Sequence, residues 1–194
     1  MVCECGTKRA VTLRKPRPPL NEEKLNELAL TYVGRFATTR AKLSRYLARK
    51  IRERGWDGAN AAPIDDIVER CARNGYIDDA AFALSKARTL TGRGYGSARV
   101  RQSLRADGVG EDDSRPAEDY AESEAVDAAL RLAKRKRIGP FSAVPMEREA
   151  REKALAAMVR GGHKFRLAKA ILALGPGEEP DLPSLSEAAG LNID

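Results

Sequence analysis

The chain has 194 residues, with 35 Lys+Arg against 28 Asp+Glu, a net charge of +7 and a pI near 9.5. A composition that is 32% charged and 42% hydrophobic, with no apolar run near the ~20 residues that a bilayer demands, excludes a helical membrane protein. Three cysteines are an odd number, which argues against a disulfide framework and for a reducing cytoplasm; the polar N-terminus lacks the apolar stretch of a secretory signal.

Residues 1–19, ending in Lys15-Pro16-Arg17-Pro18-Pro19, carry no periodicity and read as a disordered basic arm. Residues 20–77 read as a first three-helix unit. Asn21 caps its first helix, Glu22 and Glu23 sit in the turn favoured by the dipole, and Leu20 is placed to staple against Leu25. Leu25, Leu28, Ala29, Tyr32, Val33 and Phe36 form the apolar stripe. Thr38 or Thr39 caps a second helix, which runs to about Arg54 and stops at Gly55-Trp56. Pro63 then opens a third helix with Ile64, Ile67, Val68, Cys71 and Ala72 on its buried side.

Gly75 can take the left-handed turn that ends this helix, and Asp78 or Asp79 can cap the next. Residues 78–122 read as a second unit, with helices to about Leu90, from Ser97 to Asp107, and a short acidic one over 113–122 that contains Pro116. A third unit spans 123–175. Val126, Ala129, Leu130 and Ala133 face its core, Gly139-Pro140 breaks its first helix, and Leu155, Met158 and Val159 line its second before Gly161-Gly162. Phe165, Ala168, Ile171 and Leu172 are the expected buried side of the last helix, and residues 176–194 read as an acidic, frayed tail.

Leu43/Leu47/Ile51 before Gly55, Val100/Leu104 before Gly108 and Leu155/Met158/Val159 before Gly161 play equivalent parts. Nothing alternates with a strand's period. The expected fold is all-α: an elongated, curved array of three tandem three-helix repeats, each burying its stripe partly on a neighbour.

Charge is unevenly placed along this array. Residues 1–110 hold 22 basic and 12 acidic residues, a net +10; residues 111–130 hold one and eight, a net −7; residues 131–169 hold twelve and three, a net +9. On the second helix Lys42, Arg45, Arg49 and Arg52 fall opposite Leu43, Leu47 and Ile51, and the row is expected to be unpaired, with no acidic partner at i±4 among those four residues. Such a row suits phosphate or carboxylate recognition, although an ordinary solvated face has the same pattern. In the second unit Arg99, Arg101 and Arg105 flank the Val100/Leu104 helix. Arg93 and Tyr95 lie in the glycine-rich turn before it, where a helix N-terminus could hold an anion; a flexible connector with Tyr95 packed on its own repeat is the alternative. Lys134-Arg135-Lys136-Arg137 is the densest basic run, at a helix C-terminus where the dipole favours cations without any partner.

Cys3, Cys5, Cys71 and His163 lack the paired spacing of a structural zinc site, so no metal is expected. His163 reads as a local helix-end cap. No nucleophile–base set, nucleotide fingerprint or carboxylate pair indicates catalysis or a cofactor.

Gly75-Tyr76-Ile77-Asp78-Asp79 with Phe82-Ala83, followed by Gly94-Tyr95-Gly96, Arg99-Val100-Arg101-Gln102, Leu104 and Gly108-Val109, closely resembles the RecX family of bacterial recombination regulators. Arg40-Ala41, Leu43 and Leu47 look like that family's first repeat, and the likeness covers roughly residues 22–174. The resemblance implies a cytoplasmic, monomeric, non-enzymatic protein that binds the RecA recombinase in the groove of its DNA filament. It would there inhibit or modulate ATPase, strand exchange and coprotease activity in recombination, repair and the SOS response. The basic faces would meet acidic protomer surfaces, DNA phosphates, or both. The alternatives are a stand-alone nucleic-acid-binding helical repeat protein and an adaptor for another acidic protein. Few aromatics accompany the cations, which disfavours base stacking on single strands.

Overall fold

The computed structural model describes residues 18–191. The expected N-terminal arm lies almost wholly outside them, as do Cys3 and Cys5. The described residues are all-helical, apart from an isolated bridge between Leu20 and Trp56. The first three helices are α1 (Glu22–Val33), α2 (Arg40–Arg54) and α3 (Ile64–Arg73). Then come α4 (Asp79–Gly92), α5 (Ser97–Asp107) and α6 (Glu111–Ser123). The last are α7 (Ala125–Lys136), a 3-10 turn at Gly139–Phe141, α8 (Arg148–Arg160), α9 (Phe165–Ala173) and α10 (Leu182–Ala189).

Three separate apolar cores follow the chain, one per helix triplet. Leu20, Leu25, Leu43, Leu47, Ile67 and Cys71 build the first. Asn21, Thr39 and Asp78 start α1, α2 and α4 by accepting the N–H groups of Lys24, Lys42 and Ala81 at 3.0, 3.1 and 2.8 Å. The second core sets Val100, Leu104 and Val109 beside four alanines. Ala83 and Ala87 on α4 meet Ala117 and Ala121 on α6, each pair spaced four apart, so the two helices pack closely along their length. This explains why α6 is longer than expected: it runs 13 residues straight through Pro116. The proline removes the hydrogen bond to the carbonyl of Asp112, an exposed residue in the first turn.

The third core joins Val126, Ala129, Leu132, Met158, Leu167 and Ile171. It also takes in Leu185 and Ala189 of α10, 3% and 0% exposed. The segment expected to fray therefore contains a helix that docks on α7 and α9. Its acidic composition hides an apolar pair at i, i+4, which suffices to anchor two turns. Two expected core aromatics, Phe36 and Phe165, are instead 58% and 57% exposed.

Candidate functional site

The junctions between triplets decide which basic side chains are available. At the first junction, α2 meets the C-terminal end of α5. The Thr39 hydroxyl donates to the Asp107 carbonyl at 2.8 Å, and an Arg45 guanidinium N–H donates to the same carbonyl at 3.1 Å. The Asp107 carboxylate takes the Lys42 ammonium at 2.9 Å and that of Lys86 beside it. Burial pushes the Asp107 carboxyl up, but the Lys86 and Lys42 ammonium groups outweigh burial and hold it below the usual carboxylate range. Nearby, the buried Asp79 carboxylate accepts the Arg40 backbone N–H at 3.0 Å, and burial raises its pKa despite that bond. Gly108, at φ +79°, is required here because a Cβ would lie 2.4 Å from that of Ala41.

Lys42 and Arg45 are thus committed to holding the first triplet on the second. The expected unpaired row on α2 is reduced further by Glu53, which sits at i+4 from Arg49 and 3.6 Å from its guanidinium. Arg49 and Arg52 remain on the exposed surface.

Arg101 points into the second triplet. Its guanidinium lies 2.6 Å from Glu118 and 3.7 Å from Glu122, both on α6. The acidic stretch after Gly110 thereby neutralises part of the basic face that precedes it. Arg101 and Arg105 line a hollow between α5 and α6, together with Glu111, Arg115 and Asp119.

The second junction overturns the anion-site reading of the turn Arg93-Gly94-Tyr95-Gly96. The N–H groups of Gly96 and Ala98, at the start of α5, already donate to the carbonyls of Gly161 and Gly162 at 2.9 and 3.2 Å. A Cβ on Gly96 would fall 2.3 Å from the Gly162 oxygen, so backbone meets backbone with no room for an anion. His163 belongs to this junction and is not a local cap. Its Nε2–H donates to the Gly94 carbonyl at 3.1 Å, and its buried Nδ1 has no partner. Burial pulls the imidazole pKa down, with the Gly94 bond opposing it.

Above this junction the structure does gather cations. The Arg135 guanidinium donates to the Arg93 carbonyl and lies 5.8 Å from the centre of the Tyr95 ring. Arg99 is exposed and hydrogen-bonded to Gln102 at 2.9 Å, with its backbone against Gly162. Lys134, Lys136 and Arg137 are exposed at the end of α7, where Arg137 adopts a left-handed φ of +54°. Sequence spacing does not show that Arg135, from the third triplet, lies against Arg93 and Tyr95 of the second. Cys71 is buried, which raises its thiol pKa, and no cluster of three His, Cys, Asp or Glu residues able to hold a metal occurs among the described residues. No helix among them is long and apolar enough to cross a membrane.

Helix triplets clasped by polar and backbone contacts, with cations left on the outside, define an all-α tandem-repeat protein. Residues 78–117 match the model of the second three-helix domain of RecX. The regulatory protein RecX of Myxococcus xanthus is 34% identical over 84% of this chain and 94% of its own, and the chain belongs to the RecX family of regulatory proteins. The Deinococcus radiodurans RecX is 33% identical over 50% of this chain and 45% of its own. A crystal structure of RecX from Lactobacillus salivarius shares the fold, with a TM-score of 0.62 at 19% identity, covering 78% of this chain and 94% of that one. A second RecX crystal structure has a TM-score of 0.55 at 24% identity, over 77% of this chain and 70% of that one.

Proposed function

We propose that this protein regulates RecA without chemistry of its own, by seating its helix triplets in the groove of the RecA–DNA filament. In this reading it restrains ATPase, strand exchange and coprotease activity in recombination, repair and the SOS response, acting in the cytoplasm as a monomer. The observation that carries the reading is family membership along nearly the whole chain. The tandem layout supports it, because a row of small rigid units follows a periodic polymer better than one compact body does.

The contact surface in this proposal is narrower than the list of basic residues. Arg49 and Arg52 on α2, with Arg93, Tyr95, Arg99, Arg105 and Lys134 to Arg137, meet acidic protomer surfaces or phosphates. Lys42 and Arg45 act on binding indirectly, by holding the first triplet on the second, and Arg101 by holding α5 on α6 within the second. The test is co-sedimentation with cognate RecA filaments on single-stranded DNA, run beside bare DNA and paired with ATPase and strand-exchange assays. Binding and inhibition with RecA present support the proposal. No effect at stoichiometric protein sinks it, and equal binding to bare DNA with steep salt dependence favours a stand-alone nucleic-acid binder.

A further inference from the structure

Between α8 and α9 lies a hollow of about 510 Å³ that the basic surfaces above do not include. Two helical stripes form its walls. Arg148, Arg151, Glu152 and Leu155 are spaced i, i+3, i+4 and i+7 on α8; Phe165, Lys169 and Leu172 are spaced i, i+4 and i+7 on α9. The interior is predominantly apolar, and Phe165 leaves 57% of its surface in water although core positions lie beside it. The volume falls inside the range of about 300–1,000 Å³ typical of pockets that take an organic group. An aromatic left in solvent beside a concave apolar surface is the arrangement that a partner side chain completes.

The rim selects the partner. Arg148, Arg151 and Lys169 stand against the single anion Glu152, which Arg148 engages at 3.0 Å. The Arg151 guanidinium donates to the Met146 carbonyl at 3.4 Å, which steadies it at the rim. A cationic rim around an apolar floor is complementary to a peptide that carries bulky aliphatic residues between carboxylates. Phosphate-rich polymers fit less well, since the floor offers them neither donors nor a second aromatic for stacking.

We infer that the α8–α9 hollow is a docking site for an acidic amphipathic peptide segment of a protein partner. Bulky aliphatic side chains on one face of that segment enter beside Phe165, and its carboxylates meet Arg151 and Lys169. The inference goes beyond filament binding and does not depend on it.

The experiment titrates the full chain into three short fluorescein-labelled peptides by fluorescence anisotropy. One carries leucines at i and i+4 among glutamates, one replaces those leucines by alanine, and one replaces the glutamates by lysine. The first is expected to bind at least about tenfold more tightly than either of the others. Phe165→Glu and Lys169→Glu, both at exposed positions, should each weaken the first peptide by about tenfold or more, with the thermal midpoint unchanged. Equal binding of the leucine and alanine peptides would reduce the hollow to bulk charge attraction. No binding of the leucine peptide, or unchanged affinity in Phe165→Glu, would overturn the site. RecA is absent from this assay, so failure here leaves the filament proposal standing, and a failed filament assay leaves the hollow untouched.

Discussion

Asp79 and Asp107 are both nearly buried carboxylates at the α2 junction, yet their surroundings give them opposite roles. Asp107 is charge-compensated by Lys42 and Lys86, and its pKa lies below the ordinary 3.8. Its contribution to stability is therefore complete above that ordinary value and is lost as pH falls through the lower folded one. Asp79 has its pKa raised by burial, so its ionised form at neutral pH opposes folding. Asp107→Asn should lower the thermal midpoint by an amount equivalent to about 1–3 kcal/mol, as expected when a charged hydrogen-bond partner is lost. Asp79→Asn keeps an acceptor for the Arg40 N–H without burying a charge, and should leave the midpoint unchanged or raise it. Thermal unfolding at neutral pH separates the two.

His163 makes a comparable case from the basic side. Its folded pKa is depressed from 6.5, so the folded junction refuses a proton that the unfolded chain accepts. Stability is fully present above 6.5 and declines as pH falls from there through the folded value. A proton on the unpartnered Nδ1 would have no acceptor. In His163→Gln, whose amide can still donate to the Gly94 carbonyl, that part of the pH dependence should vanish. The check is a series of thermal midpoints from about pH 7.5 down to about pH 5, across the ordinary histidine range.

At the scale of elements, the start of α5 and the turn between α8 and α9 act as one piece. The N–H groups of Gly96 and Ala98 donate directly to the carbonyls of Gly161 and Gly162, and this close backbone approach explains glycine at both Gly96 and Gly162. A Cβ at Gly162 would lie 2.4 Å from the Arg99 nitrogen and would also strain a φ of +92°. Gly162→Ala should therefore be among the more damaging changes, at about 3 kcal/mol or more, and should expose the junction to limited proteolysis. Gly75 supplies the control. It has a similar left-handed φ of +74° but open space around it, so Gly75→Ala should cost only the conformational strain of about 1–2 kcal/mol.

Over the whole molecule, three cores joined by polar clasps make the relative placement of triplets a matter of a few specific bonds. The apolar stripes were expected to be shared between neighbours. At the first junction they are not: the Arg40 N–H on Asp79, Lys42 on the Asp107 carboxylate, and Thr39 and Arg45 on its carbonyl do the joining, while each triplet closes its own core. Arg49→Glu combined with Arg52→Glu should weaken filament co-sedimentation with helicity and thermal midpoint intact. Arg101→Glu should instead loosen α5 from α6, because it sets a third carboxylate beside Glu118 and Glu122. Circular dichroism melts run beside co-sedimentation distinguish the two classes of variant. A loss of binding in Arg101→Glu with an unchanged melt would return that residue to the contact surface.

Helix order, the Asn21 cap, capping at Thr38 or Thr39 and at Asp78 or Asp79, and the turn at Gly75 are encoded within a few residues of where they act. Amphipathic period and capping chemistry are local, so the chain alone determined them. The i+4 pairing of Arg49 with Glu53 is encoded just as locally and corrects the expectation of an unpaired row. The fate of the other cations was not local. Arg45 finds its acceptor 62 residues away, and His163 finds Gly94 69 residues away. Only folding could decide which positive charges were spent inside the protein and which were left for a partner, because each depended on a carbonyl or carboxylate brought close by another triplet.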